Sequence, residues 1–299
     1  MSNNTSVLNI YGNYKDMDIN YFTSQDYFVH MLRFSKVAEQ VENKNILDLG
    51  CGHYTNLLKA ICLQTRGPHY KSYIGTDYNN IIKWRPDYDP IWNKSTLIPQ
   101  TDFTNEEHVN KVITECLKRF NGEDYIITCF EVLEHMDFEM QNKFLYQLSR
   151  LVKSLPGKAT IYFSTPNHNG NPAKNHISEL SYKLLEEMFE RYDFNIEEAQ
   201  GLSAWKKFCK AENLPNANVF DFNVSELPSG LQKMVWGAML PRQFSNNILY
   251  TLSVKPCGIN TYDEQRKANV KYKYEEYRQG GAKQSECMNL FSIKGDINE

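Results

Sequence analysis

A short apolar run that ends in two glycines, NILDLGCG over residues 45–52, constrains this chain more than any other feature. Its first five residues have the length and composition of a buried β-strand. Gly50 and Gly52 follow, just before helix-like sequence starts at Asn56, and glycine permits a tight turn and close approach of the backbone to a ligand. The run predicts a strand, a glycine turn and a helix. Such a turn can bind a nucleotide-like cofactor, although glycines also serve ordinary turns.

Length and charge limit the class of protein. The 299 residues can bury a large core and fit one α/β domain with an elaboration. The formal net charge of -3 gives no overall basic excess, so a protein that relies on many phosphate contacts is not the first expectation, although a local basic groove is compatible with this charge.

Cysteine usage and hydropathy suggest a location. The seven cysteines form no Cys-x-x-Cys pair, and we interpret them as reduced thiols. The first residues lack a basic segment followed by an apolar run, and no window approaches the roughly 20 apolar residues that span a bilayer. We therefore expect a cytoplasmic protein without membrane insertion.

Apolar runs alternate with longer segments of helical periodicity. The predicted strands are 45–49, 72–76, 125–129 and 160–164, and the predicted helices include 24–41, 108–120 and 140–155. This alternation predicts an α/β fold: a Rossmann-like, mostly parallel sheet with helices on both faces. Ligands of such sheets bind beyond the carboxyl ends of the strands, where Gly50, Asp77, Phe130 and Thr165 would lie.

The later sequence suggests a domain organisation. Residues 1–201 are predicted to form the core, with the helix at 24–41 as a cover over the ligand. The pattern then loosens, and we expect a C-terminal cap insertion on the substrate side at 202–246. A last core strand is predicted at 247–258, followed by a charged tail at 259–299.

The glycine run resembles the first motif of the class I S-adenosylmethionine-dependent methyltransferases. The matching string is ILDLGCG at 46–52, and the resemblance extends over about residues 40–200. It continues in YIGTD at 73–77, where the family places an acidic residue after the second strand. The resemblance implies S-adenosylmethionine as cofactor, with Asp77 accepting hydrogen bonds from the ribose hydroxyls.

The resemblance also implies the remaining cofactor contacts. Asp102 and Phe103 would hold the adenine, and Asp48 would lie near the methionine end. The other predicted cofactor-binding residues are Cys51, Tyr78, Phe130 and Glu131. Asp102 has a second interpretation, because Thr104 and Glu107 form a capping-box pattern that marks a helix start.

An NAD-dependent dehydrogenase is another interpretation of these features, since its fold too has a glycine turn and an acidic residue after the second strand. Its Gly-x-Gly-x-x-Gly pattern is missing here, because position 55 is threonine. This departure favours the methyltransferase interpretation.

A concentration of ionisable groups follows the fourth predicted strand. Glu131, Glu134 and His135 form a Glu-x-x-Glu-His string, and oxygen and imidazole ligands suit Mg²⁺ or Mn²⁺. The string, together with His176, resembles the small-RNA 2′-O-methyltransferases, in which two glutamates and two histidines hold a catalytic divalent metal. Ubiquinone-pathway O-methyltransferases share the string as well. In the alternative interpretation, these groups only balance charge at a helix start while His135 bonds a loop.

Together these features predict a methyltransferase that acts on oxygen, because a hydroxyl acceptor must lose a proton and His135, Glu131 or a metal could assist. We expect a small or medium-sized hydroxyl-bearing molecule as acceptor. RNA 2′-O-methylation and cofactor binding without catalysis are the alternatives.

Overall fold

The computed structural model describes residues 25–52, 55–65, 67, 69–79, 93–168, 173–204, 235, 237 and 242–255. Most of the predicted cap and all of the predicted tail at 259–299 lie outside these residues.

Seven strands form one sheet in the order β3-β2-β1-β4-β5-β7-β6. All are parallel except β7, which pairs antiparallel with both of its neighbours. Their bounds are β1 Asn45–Leu49, β2 Ser72–Thr76, β3 Ser95–Ile98, β4 Tyr125–Phe130, β5 Ala159–Pro166, β6 Phe194–Ala204 and β7 Ser245–Val254. The predicted Rossmann-like, mostly parallel sheet is confirmed.

The described residues include five α-helices, of which the first precedes β1. Their bounds are α1 Gln25–Ala38, α2 Asn56–Gln64, α3 Glu106–Phe120, α4 Phe138–Ser154 and α5 Tyr182–Arg191, with 3-10 turns at Leu133–His135 and Arg242–Phe244. Among the described residues, no helix is long and apolar enough to cross a bilayer.

The helices cover both faces of the sheet, as the alternation of side chains in β1 requires. Leu47 packs in a core that also contains residues of α3, α4 and α5. Its neighbour Ile46 packs on the other face with residues of α1 and α2. Strand β1 is thus buried on both faces, which explains its continuous apolar run in the sequence.

Side chains of the preceding residues cap three of the helices. Asn105 caps α3, because its side chain accepts hydrogen bonds from the backbone N–H groups of Glu107 and His108. The helix start predicted at Thr104 is therefore one residue early. Asp137 and Ser181 cap α4 and α5 in the same way.

Two strands were not predicted from the sequence, and both have a physical reason. β3 is only four residues long and half-buried, and β6 carries exposed glutamates in its first half, so neither shows a continuous apolar run. β6 continues to Ala204 and β7 begins at Ser245, so the described strands extend into both ends of the segment predicted as a cap.

Candidate active site

The glycine turn lies directly after β1 and is bonded to the end of β2. The backbone N–H groups of Gly50 and Cys51 both donate to the carbonyl oxygen of Thr76. Gly50 and Gly52 both have φ +71°, a left-handed conformation that favours glycine. A β-carbon on Gly50 would overlap Val132, whereas one on Gly52 would meet no described atom within 4 Å. The turn therefore leaves space above Gly52 for a ligand.

Asp77 follows β2 and contacts this turn directly. Its Oδ2 accepts a hydrogen bond from the Gly52 N–H at 3.0 Å, and its Oδ1 accepts from the Asn79 N–H at 2.9 Å. The carboxylate is thus fixed beside the open side of Gly52.

The predicted adenine residues lie after β3, and their environments differ. Asp102 Oδ1 accepts from the backbone N–H and the hydroxyl of Thr104, which orders the loop before α3. Phe103 is buried in the core, with its ring 5.6 Å from that of Phe144. Tyr78, which follows Asp77 after β2, is 70% exposed. The ring of Phe103 packs in the core, and the cofactor contacts predicted for Asp102, Phe103 and Tyr78 stay predictions.

Asp48 is buried in the middle of the sheet. Its two oxygens accept hydrogen bonds from the hydroxyls of Tyr73 at 2.6 Å and Thr128 at 2.7 Å. Burial raises the pKa of Asp48 from its ordinary 3.8 to about 6, although the two hydroxyls act in the opposite direction. Cys51, between the two glycines of the turn, is also buried, and desolvation raises the pKa of its thiol above the ordinary range.

Glu131, the residue after β4, has the unusual φ of 56°. A non-glycine residue in this region costs on the order of 1–3 kcal/mol, so the surroundings must hold it there. Its Oε1 lies 2.6 Å from Arg33 Nη1 and accepts from the Ser164 hydroxyl at 3.1 Å. Its Oε2 accepts from the Asn247 amide at 3.0 Å. Helix α1 and strands β4, β5 and β7 thus meet at one carboxylate.

Phe130, the last residue of β4, lies next to the ion pair between Arg33 and Glu131. The Arg33 guanidinium carbon is 5.9 Å from its ring centroid, and the ring packs against Phe34 at 6.2 Å. Helix α1 thus contacts the carboxyl end of β4, and its role as a cover over the cofactor stays a prediction.

Three of the predicted metal ligands lie close together in space. Glu134, His135 and His176 each offer a ligand atom, and these atoms lie within 4.8 Å of one another. Glu134 is 1% exposed, and its Oε1 has no hydrogen-bond partner among the described residues. Desolvation, followed by the negative charge of Glu131, raises the pKa of Glu134 well above its ordinary value. A buried oxygen without a donor is a site where a cation would be favourable.

Glu131 is not part of this group. The sequence predicted it as the fourth metal ligand, but in the structure its two oxygens are bonded to Arg33, Ser164 and Asn247. Three of the four predicted ligands therefore converge, whereas Glu131 is paired with Arg33, and its place as a fourth ligand stays a prediction.

Both histidines have one nitrogen in a hydrogen bond. His135 Nδ1 lies 3.1 Å from the Asn175 carbonyl oxygen, and His176 Nδ1 lies 2.5 Å from Glu179 Oε1. Carbonyl and carboxylate oxygens only accept, so each Nδ1 carries the proton in these bonds. In the neutral rings Nε2 then has the lone pair, which is the form that binds a metal.

A buried glutamine joins the two segments that carry these ligands. Gln141 Nε2, on α4, lies 2.9 Å from the Leu133 carbonyl oxygen and 2.7 Å from that of Ser178. The Glu134 carbonyl oxygen in turn accepts from the N–H groups of Ile177 and Ser178. These bonds fix His176 relative to the turn at Leu133–His135.

Two residues of this region were missed in the sequence. Arg33 has a signal, because it lies four residues from both Val29 and Val37 on the apolar stripe of α1, where a cation needs a buried partner. Glu179 lies three residues after His176 and bonds to it, a spacing too common to identify a partner by itself.

Comparison with known families supports the same interpretation of the cleft. The family described as a methyltransferase domain matches residues 22–199, more than half of the 299-residue chain. The chain belongs to this methyltransferase family. The protein is a SAM-dependent methyltransferase, and the glycine turn with Asp77 lies within the matched residues.

Several solved structures are similar to this methyltransferase at low identity. A Haloferax volcanii chain solved with the methyltransferase activator Trm112 is 15% identical, with 81% of this chain and 97% of that chain covered and a TM-score of 0.46. The small RNA methyltransferase HEN1 is 13% identical, with 79% and 27% covered and a TM-score of 0.45. A Brevibacillus brevis O-methyltransferase solved with S-adenosyl-L-homocysteine is 17% identical, with 90% and 86% covered and a TM-score of 0.43. No curated protein matches the methyltransferase in sequence.

Proposed function

We propose that this methyltransferase transfers a methyl group to a hydroxyl oxygen, with a divalent cation held by Glu134, His135 and His176. The observation that carries the proposal is the convergence of these three residues together with the unpartnered, buried Oε1 of Glu134. Glu134 and His135 follow β4 and His176 follows β5, so all three come after the carboxyl ends of strands, as the glycine turn does. An oxygen acceptor explains why such ligands would be needed there, since a hydroxyl must lose a proton.

The cofactor is proposed to lie across the glycine turn. The open side of Gly52 admits a ligand, and the adjacent Asp77 carboxylate supplies acceptors for the ribose hydroxyls. Asp102 is proposed to accept from the adenine amine. When bound, S-adenosylmethionine supplies a methyl group on a positive sulfur, so the protein has mainly to align the acceptor.

Of the two predicted cations, Mn²⁺ suits this donor set better than Mg²⁺, which prefers oxygen ligands. One carboxylate and two neutral imidazoles combine oxygen with nitrogen donors, and Mn²⁺ accepts both kinds. Water or acceptor oxygens would have to complete the coordination, because three protein ligands leave positions open. When bound, the cation supplies a Lewis acid that favours the deprotonated form of a coordinated hydroxyl.

The proposed acceptor is a small or medium-sized molecule with a hydroxyl group. The net charge of -3 supports a small-molecule acceptor, because a protein that binds a nucleic acid backbone generally has a basic surface. The alternative is the 2′-hydroxyl of RNA, which the Glu-x-x-Glu-His string supports through its resemblance. A cytoplasmic location remains a prediction.

The decisive experiment measures transfer of label from S-adenosylmethionine to two pools, hydroxyl-bearing metabolites and RNA. We expect a labelled metabolite, and we expect addition of Mn²⁺ after chelation to raise turnover. Label in RNA alone would support the alternative acceptor. Full turnover after exhaustive chelation would contradict the proposed role of the metal.

Matched variants give this experiment a control. His135→Asn and His176→Asn should each reduce turnover strongly while leaving S-adenosylhomocysteine affinity within about twofold. His69→Asn, at an exposed position before β2, should change neither quantity.

A further inference from the structure

Glu179 contacts His176, one of the three proposed metal ligands, through the Nδ1 atom of its ring. It lies in the loop between β5 and α5, and its side chain is 6% exposed. A carboxylate this deeply buried is costly unless donors surround it. The groups that contact the Glu179 carboxylate therefore indicate its role.

Two nitrogens lie within hydrogen-bond distance of this carboxylate, and a third lies nearby. Oε1 lies 2.5 Å from His176 Nδ1 and accepts from the Ala173 backbone N–H at 3.2 Å. Oε2 lies 3.7 Å from His168 Nδ1. Because a backbone N–H can only donate, Oε1 is an unprotonated oxygen that acts as acceptor for both of its neighbours.

The bond to His176 selects one form of the imidazole. An ionised carboxylate can only accept, so Nδ1 of a neutral His176 must carry its proton when the bond is made. The lone pair then lies on Nε2. If the proton were instead on Nε2, Nδ1 would place a lone pair against the carboxylate and the bond would be lost.

We infer that Glu179 is a positioning residue that holds His176 in the Nδ1–H form, so that Nε2 is available to a divalent cation beside Glu134 and His135. The inference rests on the proposed metal site for its consequence, but the form of the imidazole can be measured without any metal. Outer-shell carboxylates of this kind fix ring orientation and raise ligand basicity, and their loss typically lowers metal affinity by about 10–100-fold.

The test uses two substitutions of nearly equal size. Glu179→Gln retains an oxygen acceptor for Nδ1–H, whereas Glu179→Met does not. Glu190→Met, at an exposed position on α5, is the matched control. Thermal unfolding and S-adenosylhomocysteine affinity, measured on each full-length variant, establish that the domain is folded.

The first readout is the tautomer of His176 in the metal-free protein, from long-range ¹H–¹⁵N correlation spectra of histidine-labelled samples. The His176→Asn variant identifies the signal among the seven histidines. We expect Nδ1–H in the wild type and in Glu179→Gln, and a shift toward Nε2–H in Glu179→Met. An unchanged Nδ1–H signal in a folded Glu179→Met variant would overturn the inference.

The second readout is Mn²⁺ affinity, measured by electron paramagnetic resonance of free Mn²⁺. Glu179→Met should bind at least about tenfold more weakly than the wild type, with Glu179→Gln in between and Glu190→Met unchanged. Equal affinity in all variants would overturn the inference. Failure of the wild type itself to bind Mn²⁺ would instead overturn the proposed metal site, and the tautomer measurement would still decide the role of Glu179.

Discussion

The guanidinium of Arg33 lies 2.6 Å from the carboxylate of Glu131 and joins helix α1 to the end of β4. The arginine side chain is 2% exposed and the glutamate side chain 21% exposed, so water screens the pair only partly. Arg33 also donates to the Val29 carbonyl oxygen and to the Ser164 hydroxyl. Helix α1 is therefore joined to the end of β4 by a buried cation that needs this carboxylate as its partner.

Arg33→Met should destabilise the protein by about 3 kcal/mol, the low end for a broken buried ion pair, because Glu131 loses its cation. Chemical unfolding in urea measures this. Lys36→Met is the control on the same helix, since its ion pair with Glu198 is exposed and is worth less than about 1 kcal/mol. An equal decrease in the free energy of unfolding for the two variants would show that the Arg33–Glu131 pair stabilises the fold no more than an exposed pair does.

The two turn glycines should respond differently to alanine. Both substitutions place a side chain at φ +71°, which costs about 1–2 kcal/mol. Gly50→Ala adds an overlap with Val132 worth about 1–3 kcal/mol, so it should lower stability more. Gly52→Ala should mainly lower S-adenosylhomocysteine affinity, by about tenfold or ~1.4 kcal/mol, because its methyl enters the ligand space.

Calorimetric titration and thermal unfolding of both glycine variants check this prediction. Unchanged cofactor affinity in Gly52→Ala would mean that the space above Gly52 is not the binding site.

Asp77→Ala should weaken S-adenosylhomocysteine binding by roughly 1.5–3 kcal/mol, the scale for losing hydrogen bonds to a charged acceptor. The free protein should also lose about 1 kcal/mol of stability, because Asp77 accepts from the Gly52 N–H. Titration and urea unfolding separate the two effects. A variant with lower stability but normal affinity would limit Asp77 to ordering the turn.

Asp48 should make stability depend on pH between about 4 and 6. Burial raises its pKa in the folded protein to about 6 from the ordinary 3.8, so the folded state binds this proton more tightly than the unfolded state. Its stabilising effect is therefore full below pH 3.8 and is lost as the pH rises through about 6. This difference in the pKa of Asp48 between the folded and unfolded states corresponds to about 3 kcal/mol in the free energy of unfolding.

Comparison with Asp48→Asn isolates this contribution. The variant lacks the titrating group, so it should gain about 3 kcal/mol relative to the wild type between pH 4 and pH 7.5. Urea unfolding at several pH values measures the difference, and parallel profiles for the two proteins would refute the assignment.

Much of the fold could be predicted because local signals and tertiary packing agree. β1, β2, β4 and β5 are buried on both faces and appear as apolar runs, and the glycines mark where β1 ends. β3 and β6 lack this signal, since β3 is short and half-buried and β6 is exposed in its first half.

The site was only partly predictable for a different reason. The string at residues 131–135 placed Glu131 and Glu134 among the ligands by spacing, but spacing does not show which partner a carboxylate chooses. The choice depends on Arg33, almost one hundred residues earlier, and on Asn247, which follows more than one hundred residues later. Only the folded sheet brings these residues together.

The most direct test of the proposed function is a crystal structure of the protein with S-adenosylhomocysteine and Mn²⁺, with anomalous diffraction used to locate the metal. We expect the cofactor across Gly52 and Asp77, and one manganese peak within about 2.6 Å of donor atoms of Glu134, His135 and His176. Cofactor density in the cleft with no manganese peak at these three residues, at saturating Mn²⁺, would contradict metal-assisted transfer to oxygen.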